Sequence, residues 1–274
     1  MDDFQDRVAF ITGGASGIGL GIAKRLVAAG CKAAIADLRE DHLEEAIGWF
    51  EEGQLGSRVF PVQLDVTNRA RMAEAAEEVE SKFGPVTILV NNAGVGVEGP
   101  LSEATYADWD FGIGVNLGGV INGIQTWVPR IRAHGRGGHV VNTASLAGLT
   151  PMPSWMAIYA TAKSAVIALS EAIGDDLARD DIGVSVLCPG PIKSRIHELS
   201  RNKPEGYQPS PLSPRRPSGS AIGRCRRCGW SPRRSATWSS TRSATTSSTS
   251  SPTASGATRS SSGTTGSWRR PRLR

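Results

Sequence analysis

Tyr159 and Lys163 stand four residues apart, a spacing that places both side chains on one face of a helix. A phenol with a pKa near 10 is a poor acid or base at neutral pH, and an ammonium one turn away favours its phenolate form. Ser145 lies fourteen residues upstream, at the end of the run Asn142-Thr143-Ala144-Ser145. There its hydroxyl can hold a reacting oxygen beside the phenol. A Tyr and a Lys at this spacing occur on many solvated helix faces. The third group turns the pair toward proton transfer at an oxygen-bearing carbon.

A second constellation is Thr12-Gly13-Gly14-Ala15-Ser16-Gly17-Ile18-Gly19. Its glycines allow a tight turn and close approach of backbone to a pyrophosphate, whose charge the first amides of a following helix can meet. The same composition serves ordinary strand-to-helix loops, but at the first strand-to-helix junction it reads as a dinucleotide site. Asp37 follows eighteen residues after Gly19, where a carboxylate accepts hydrogen bonds from ribose hydroxyls and repels a 2′-phosphate. Ser16 adds no positive charge to the turn. Arg39 lies close enough to tolerate a 2′-phosphate, so NAD is expected as the cofactor, with NADP as the less favoured one.

The elements that must hold these groups are legible as alternating periods. Short β-branched runs at Arg7 to Thr12, Lys32 to Ala36, Arg58 to Leu64, Val86 to Asn91, Gly138 to Thr143 and Gly183 to Cys188 read as strands. Helices are expected over Gly17 to Ala29, Glu40 to Glu52, Arg69 to Phe83, Tyr106 to His134 and Ala157 to Asp180. In the second helix, Leu43 and Ile47 form a buried stripe opposite Glu44 and Glu45. Right-handed crossovers then give an α/β, doubly wound parallel sheet, a Rossmann fold.

The net charge of +5 over 274 residues is misleading as an average. Thirteen of the 31 basic residues lie from Gly206 onward, where there is no Asp, Glu or Lys, which leaves 18 basic against all 26 acidic residues before it. Two regions follow: 1–208 as the dinucleotide-binding and catalytic domain, and 209–274 as a disordered tail rich in Arg, Ser and Thr. The tail holds Trp230, Trp238 and Trp268 yet no Val or Phe, a balance expected of a GC-rich gene read out of frame. A one-base shift turns serine codons of the TCN type into codons for Phe, Leu, Ile or Val. It places apolar residues after Trp238 where a helix and a strand want them. A change of frame is therefore expected between about Pro209 and Pro217.

Four cysteines, no hydrophobic leader and Asp2-Asp3 after Met1 point to a reducing cytoplasm, and no stretch reaches the eighteen or so uninterrupted apolar residues of a membrane span. Cys225 and Cys228 have a spacing seen in zinc sites but lack companion ligands, so no metal is expected. Cys31 and Cys188 are expected to be small buried residues, and His42, His134, His139 and His197 structural or exposed. The arginine-rich tail admits a weaker reading as a nucleic-acid-binding module.

From residue 6 to about 208 the chain resembles the short-chain dehydrogenase/reductase family. The resemblance rests on the TGGASGIG turn, Asp65-Val66, Asn91-Asn92-Ala93-Gly94, Asn116, Ser145, Tyr159-Ala160-Thr161-Ala162-Lys163 and Pro189-Gly190-Pro191-Ile192-Lys193-Ser194. It implies Tyr159 as general acid/base and Ser145 as the group that orients the substrate oxygen. Lys163 is implied to lower the phenol's pKa and hold the nicotinamide ribose, and Asn116 to keep a kinked helix and a proton-relaying water. Thr12, Gly13, Ser16, Gly17, Ile18, Gly19 and Asp37 are implied to bind cofactor, with Asp65 and Val66 at its adenine. Asn91 and Asn92, with Ala93 and Gly94, would line the cleft and brace the central sheet, and Pro189, Gly190, Ile192 and Ser194 would fix the carboxamide. The implied reaction is hydride exchange between NAD and a small-molecule secondary alcohol or ketone, in a homo-dimer or homo-tetramer. The family's seventh strand and most of its substrate loop are missing from the pattern here. That leaves a second reading, a chain that binds dinucleotide and is catalytically impaired. The residues Val95 to Glu98, Leu146, Met152 to Trp155 and Arg195 to Leu199 are expected to line an apolar substrate pocket.

Overall fold

The computed structural model describes residues 4–192 and 196. Lys193, Ser194, Arg195, His197 to Leu199, the two cysteines Cys225 and Cys228, the tail 209–274 and the expected change of frame lie outside the described residues.

Strands β1 (Val8–Thr12) and β4 (Val86–Asn91) are buried from end to end, as apolar runs at the centre of a parallel sheet covered on both faces must be. The remaining strands are β2 (Lys32–Asp37), β3 (Val59–Gln63), β5 (Gly138–Thr143) and β6 (Ile182–Leu187). All pair in parallel, in the order β3-β2-β1-β4-β5-β6. Alternate residues feed two cores. Val8 and Phe10 join Met72, Trp127 and Val166 on one face, while Ala9 and Ile11 join Ala23, Val27, Leu43 and Phe50 on the other. The helices α1 (Gly17–Ala28) and α2 (Glu40–Glu52) cover the second face, and α3 (Arg69–Phe83), α5 (Gly119–His134) and α6 (Ala157–Leu177) cover the first. The strand order reverses between β1 and β4, which opens a crevice at their carboxyl ends.

Several local expectations are adjusted. Strand β3 is one residue shorter at each end, its start set back by the 3-10 turn Gly56–Arg58, and it accepts Pro61 because it is an edge strand paired with β2 alone. Strand β6 starts and ends one residue earlier than its apolar pattern implies. The stripe on α2 runs through His42, Leu43, Ala46 and Phe50, with Ile47 half-buried.

The single helix expected from Tyr106 to His134 is three pieces: α4 (Tyr106–Ile113), a π-helical turn Gly114–Gly118 and α5. Thr105 and Asp108 start α4 as a reciprocal capping box. The π turn is tied to the hydrogen bonds of one side chain. Asn116 Nδ2 donates to Gly112 O and to Val95 O, both at 2.9 Å, and its Oδ1 accepts from Val95 N at 3.1 Å. These bonds pull the ladder out of α register toward the chain after β4.

One stretch, Ser154–Asp180, is long and apolar enough by length and composition to cross a bilayer. Here it is the crossover to β6, with Val166 and Leu177 in the core and Lys163 buried within it.

Candidate active site

The crevice holds a cavity of about 560 Å3. On one side it is built from backbone. Gly13 and Gly17 adopt φ of +62° and +51°, and a Cβ on Gly13 would come within 2.9 Å of Ala93 Cα. A Cβ on Gly19 would lie 2.1 Å from Gly13 O, so this glycine seats α1 against the turn without lining the cavity. Gly13, Ser16, Gly17 and Ile18 do line it, at the helix end where amides lack helical partners.

Thr12 is likewise outside the lining and acts as a stitch. Its Oγ1 donates to Val90 O at 3.4 Å and accepts from Asn92 N at 2.9 Å and Ala93 N at 3.1 Å. Asn92 Nδ2 donates back to Thr12 O at 3.0 Å and Gly13 O at 3.2 Å. The chains leaving β1 and β4 are thereby tied across the reversal point, with Asn92, Ala93 and Gly94 on the cavity wall.

Asp37, at the end of β2, accepts from Ala15 N and Arg39 N, both at 3.3 Å. Burial pushes its carboxyl above the usual value, while those amides and nearby His42 pull the other way. His42, expected to be structural or exposed, is buried on the cavity wall with Nδ1 3.9 Å from Asp37 Oδ1. Arg39 is turned to Asp41: Nε donates to Oδ1 at 2.9 Å and a terminal nitrogen donates to Oδ2. Farther along, Asp65 Oδ1 accepts from Thr67 N and Oγ1, both at 2.8 Å, and Asn122 of α5 fixes Val66 by donating to its carbonyl at 2.9 Å. Both Asp65 and Val66 face the cavity.

The other side of the cavity is built from side chains. Ser145 ends the chain from β5, and its Oγ accepts from Ala147 N at 3.1 Å. Tyr159 and Lys163 project from the first turns of α6 into the same space. Lys163 is only 2% exposed, and its Nζ donates to Thr143 O at 2.8 Å. Burial pulls its ammonium down to about 8.

The phenol of Tyr159 is shifted upward by burial, opposed by a hydrogen bond with Ser145 and reinforced by the Glu98 charge. The Lys163 amine is engaged by Thr143 O and lies 5.8 Å from the phenol ring's centre.

Asn116 is fully buried and does not line the cavity, although a Cβ on Gly94 would sit 2.8 Å from its Oδ1 and 3.4 Å from Lys163 Nζ. Asn91 is also off the wall. It donates to Asn142 Oδ1 at 2.9 Å, and Asn142 donates to Ser170 Oγ at 2.9 Å, bracing β4, β5 and α6 beneath the site.

The far lip carries Pro189, Gly190 and Ile192, anchored where Leu146 N donates to Pro189 O at 3.0 Å. Cys31 is buried as expected; Cys188, on this lip, is half-exposed, since it lies past the end of β6. Among the described residues no group of three His, Cys, Asp or Glu is placed to hold a metal.

Glu98, Phe111, Val115, Met156 and Ile196 join Leu146, Met152 and Trp155 on the cavity wall. Phe111, Val115 and Met156 were not singled out by sequence, because helical period alone does not distinguish a core face from a cavity face. Leu38 and His42 were missed beside Asp37 for a similar reason, although a histidine in a buried stripe was a usable signal. The fit to a dinucleotide is direct: space where Cβ atoms would clash, helix-end amides for a diphosphate and a carboxylate for a ribose diol.

A family model described as short chain dehydrogenase matches residues 7–205. The C alpha-dehydrogenase of Sphingobium sp. (strain NBRC 103272 / SYK-6) is 49% identical over 209 residues, covering 76% of this chain and 67% of that protein. The apo form of LigO from Sphingobium sp. strain SYK-6 superposes with a TM-score of 0.67 at 47% identity, covering 69% of this chain and 70% of that one. A short chain dehydrogenase/reductase from Burkholderia phymatum, solved in complex with NAD, gives a TM-score of 0.72 at 36% identity, with 77% and 76% of the two chains covered. Sequence, sheet order and cradle agree, and the chain belongs to the short-chain dehydrogenase/reductase family, oxidoreductases of CH–OH groups that use NAD.

Proposed function

We propose that the chain interconverts secondary alcohols and ketones through Ser145, Tyr159 and Lys163. The observation that carries this reading is the convergence of these three groups on one cavity wall, opposite the glycine turn and Asp37. Bound NAD supplies the hydride acceptor for alcohol oxidation, and its reduced form the donor for the reverse.

The protein supplies position and a proton path. Asp37 accepts hydrogen bonds from the adenosine ribose, the amides of Ser16 to Ile18 meet the diphosphate, and Asp65 and Val66 flank the adenine. Pro189, Gly190 and Ile192 hold the carboxamide end. Ser145 donates to the substrate oxygen and keeps it beside the phenol. Tyr159 then removes the hydroxyl proton during oxidation, or returns it during reduction. Lys163, fixed by Thr143 O, presents N–H groups toward the nicotinamide ribose. Asn116 acts indirectly, by holding the π turn and the chain at Val95.

Around the reacting carbon the wall is apolar, with Phe111, Val115, Leu146, Met152, Trp155 and Met156, so the substrate carries an apolar, ring-shaped or long-chain group. The relative named as a dehydrogenase supports alcohol oxidation as one working direction.

The test is NAD reduction with a panel of aryl and alkyl secondary alcohols, using the full chain and its Tyr159→Phe variant. Wild-type turnover that falls by roughly a thousandfold in the variant supports the assignment, that being the range for a lost general acid/base. A Tyr159→Phe variant as fast as wild type overturns it. NAD binding with no turnover of any panel member favours the impaired, binding-only reading instead.

A further inference from the structure

We propose that Asp41 sets the choice between NAD and its 2′-phosphorylated form, by holding the Arg39 guanidinium away from the ribose site. The inference rests on the reading that Asp37 receives the adenosine ribose.

The geometry around Asp37 leads to it. Arg39 sits at the edge of that site, its backbone N donating to Asp37 Oδ1 at 3.3 Å. Leu38, just before it, and His42, three residues after it, line the cavity, but Arg39 does not. Its guanidinium makes a two-pronged pair with Asp41, the second residue of α2, through Nε to Oδ1 at 2.9 Å and a terminal nitrogen to Oδ2. Such a planar fork matches a carboxylate and a phosphate equally well. An arginine two residues past the ribose acid is the natural counter-charge for a 2′-phosphate, so its engagement elsewhere has a consequence. Asp37 repels that phosphate directly, and Asp41 removes the cation that would compensate. Asp41 itself is largely exposed and faces solvent rather than the cavity, so it acts through Arg39 and is a positioning residue.

The experiment measures dissociation constants of NAD and NADP for the full chain by calorimetry, in wild type, Asp41→Ala, Arg39→Ala, the double variant and Asp37→Ala. Asp41→Ala is expected to tighten NADP about tenfold, the scale of one regained charge-assisted contact, and to leave NAD within about twofold. In the Arg39→Ala background the same change gains nothing. Asp41→Asn keeps an acceptor for His42 N, which now donates to Asp41 Oδ1 at 3.1 Å, and moves NADP in the same direction. A general loss of structure would weaken both ligands together, so the ratio is the diagnostic reading. An unchanged ratio in Asp41→Ala, or a gain that survives without Arg39, overturns the proposal. Asp37→Ala separates the two layers: weakened NAD binding there upholds the ribose reading even if Asp41 proves silent, and unaltered NAD binding removes that reading and this inference with it.

Discussion

Around the turn after β1 the cavity is walled by a glycine-rich backbone with no room for a Cβ at Gly13. Around α6 it is walled by a hydroxyl, a phenol and an amine. The first region selects a ligand by shape and fixed dipoles, and its residue types are dictated by the space left for a Cβ. On the proposed function the second does the chemistry, its residue types dictated by what can donate or hold a proton. A substitution in the first should therefore damage the fold and cofactor binding together. In the second, catalysis and stability part company and can even move in opposite directions.

The sharpest way to break this comparison is within α1. Gly19→Val puts a side chain where even a Cβ lies 2.1 Å from Gly13 O, while Gly21, half a turn on, has nothing within 4 Å. Gly19→Val is expected to cost of order 4 kcal/mol in stability and to abolish measurable NAD binding. Gly21→Ala should instead gain up to about 1 kcal/mol from helix propensity. Denaturant titration of the two variants reads both effects, and equal stabilities would remove the claim that the backbone side is sterically dictated.

A smaller effect, of opposite sign, is expected at Lys163. Its folded-state value of about 8 lies below the ordinary 10.5. Between those values the unfolded chain holds a proton that the folded chain has lost, so stability rises with pH across this window. Below about 8 both forms are charged and the burial cost stands in full. Lys163→Met should remove that slope and stabilise the fold at pH 7 by up to about 3 kcal/mol, while turnover collapses. Stability curves measured from pH 6.5 to 10.5 decide it, and a slope that persists in the variant assigns it to another group.

The smallest effect belongs to Glu98, whose charge helps hold the Tyr159 phenol above its ordinary value. The phenol must lose its proton to act as a base, so alcohol oxidation should quicken as pH rises. Glu98→Gln should move that rise to lower pH, with the burial contribution remaining. A pH profile that does not move would mean that the Glu98 charge is not felt at the phenol.

Much of this was legible in the residues because it is written in short range. The periods of β1 and β4, the glycine turn and the Tyr159-Lys163 spacing each depend on neighbours in the chain. What escaped depends on distant partners. Asn116 is an ordinary polar residue in sequence, and its π turn exists because Val95, twenty-one positions away, offers both a donor and an acceptor. Thr143 matters through its carbonyl, which every residue type possesses. For Tyr159, spacing gives the nearness of Lys163 but not the burial of the phenol, which pushes its pKa up.

The stitch made by Thr12 and Asn92 has a consequence for recognition. Because the ends of β1 and β4 are bonded to each other through one hydroxyl and one carboxamide, the span between the diphosphate turn and the Gly94 wall is set when the sheet forms. The cleft behaves as a fixed-gap gauge. A ligand with a single nucleotide fills only one jaw and forgoes the contacts of the other, whereas a dinucleotide of matching length closes both without asking the protein to move. Discrimination by length is then a property of the folded chain, settled before any ligand arrives.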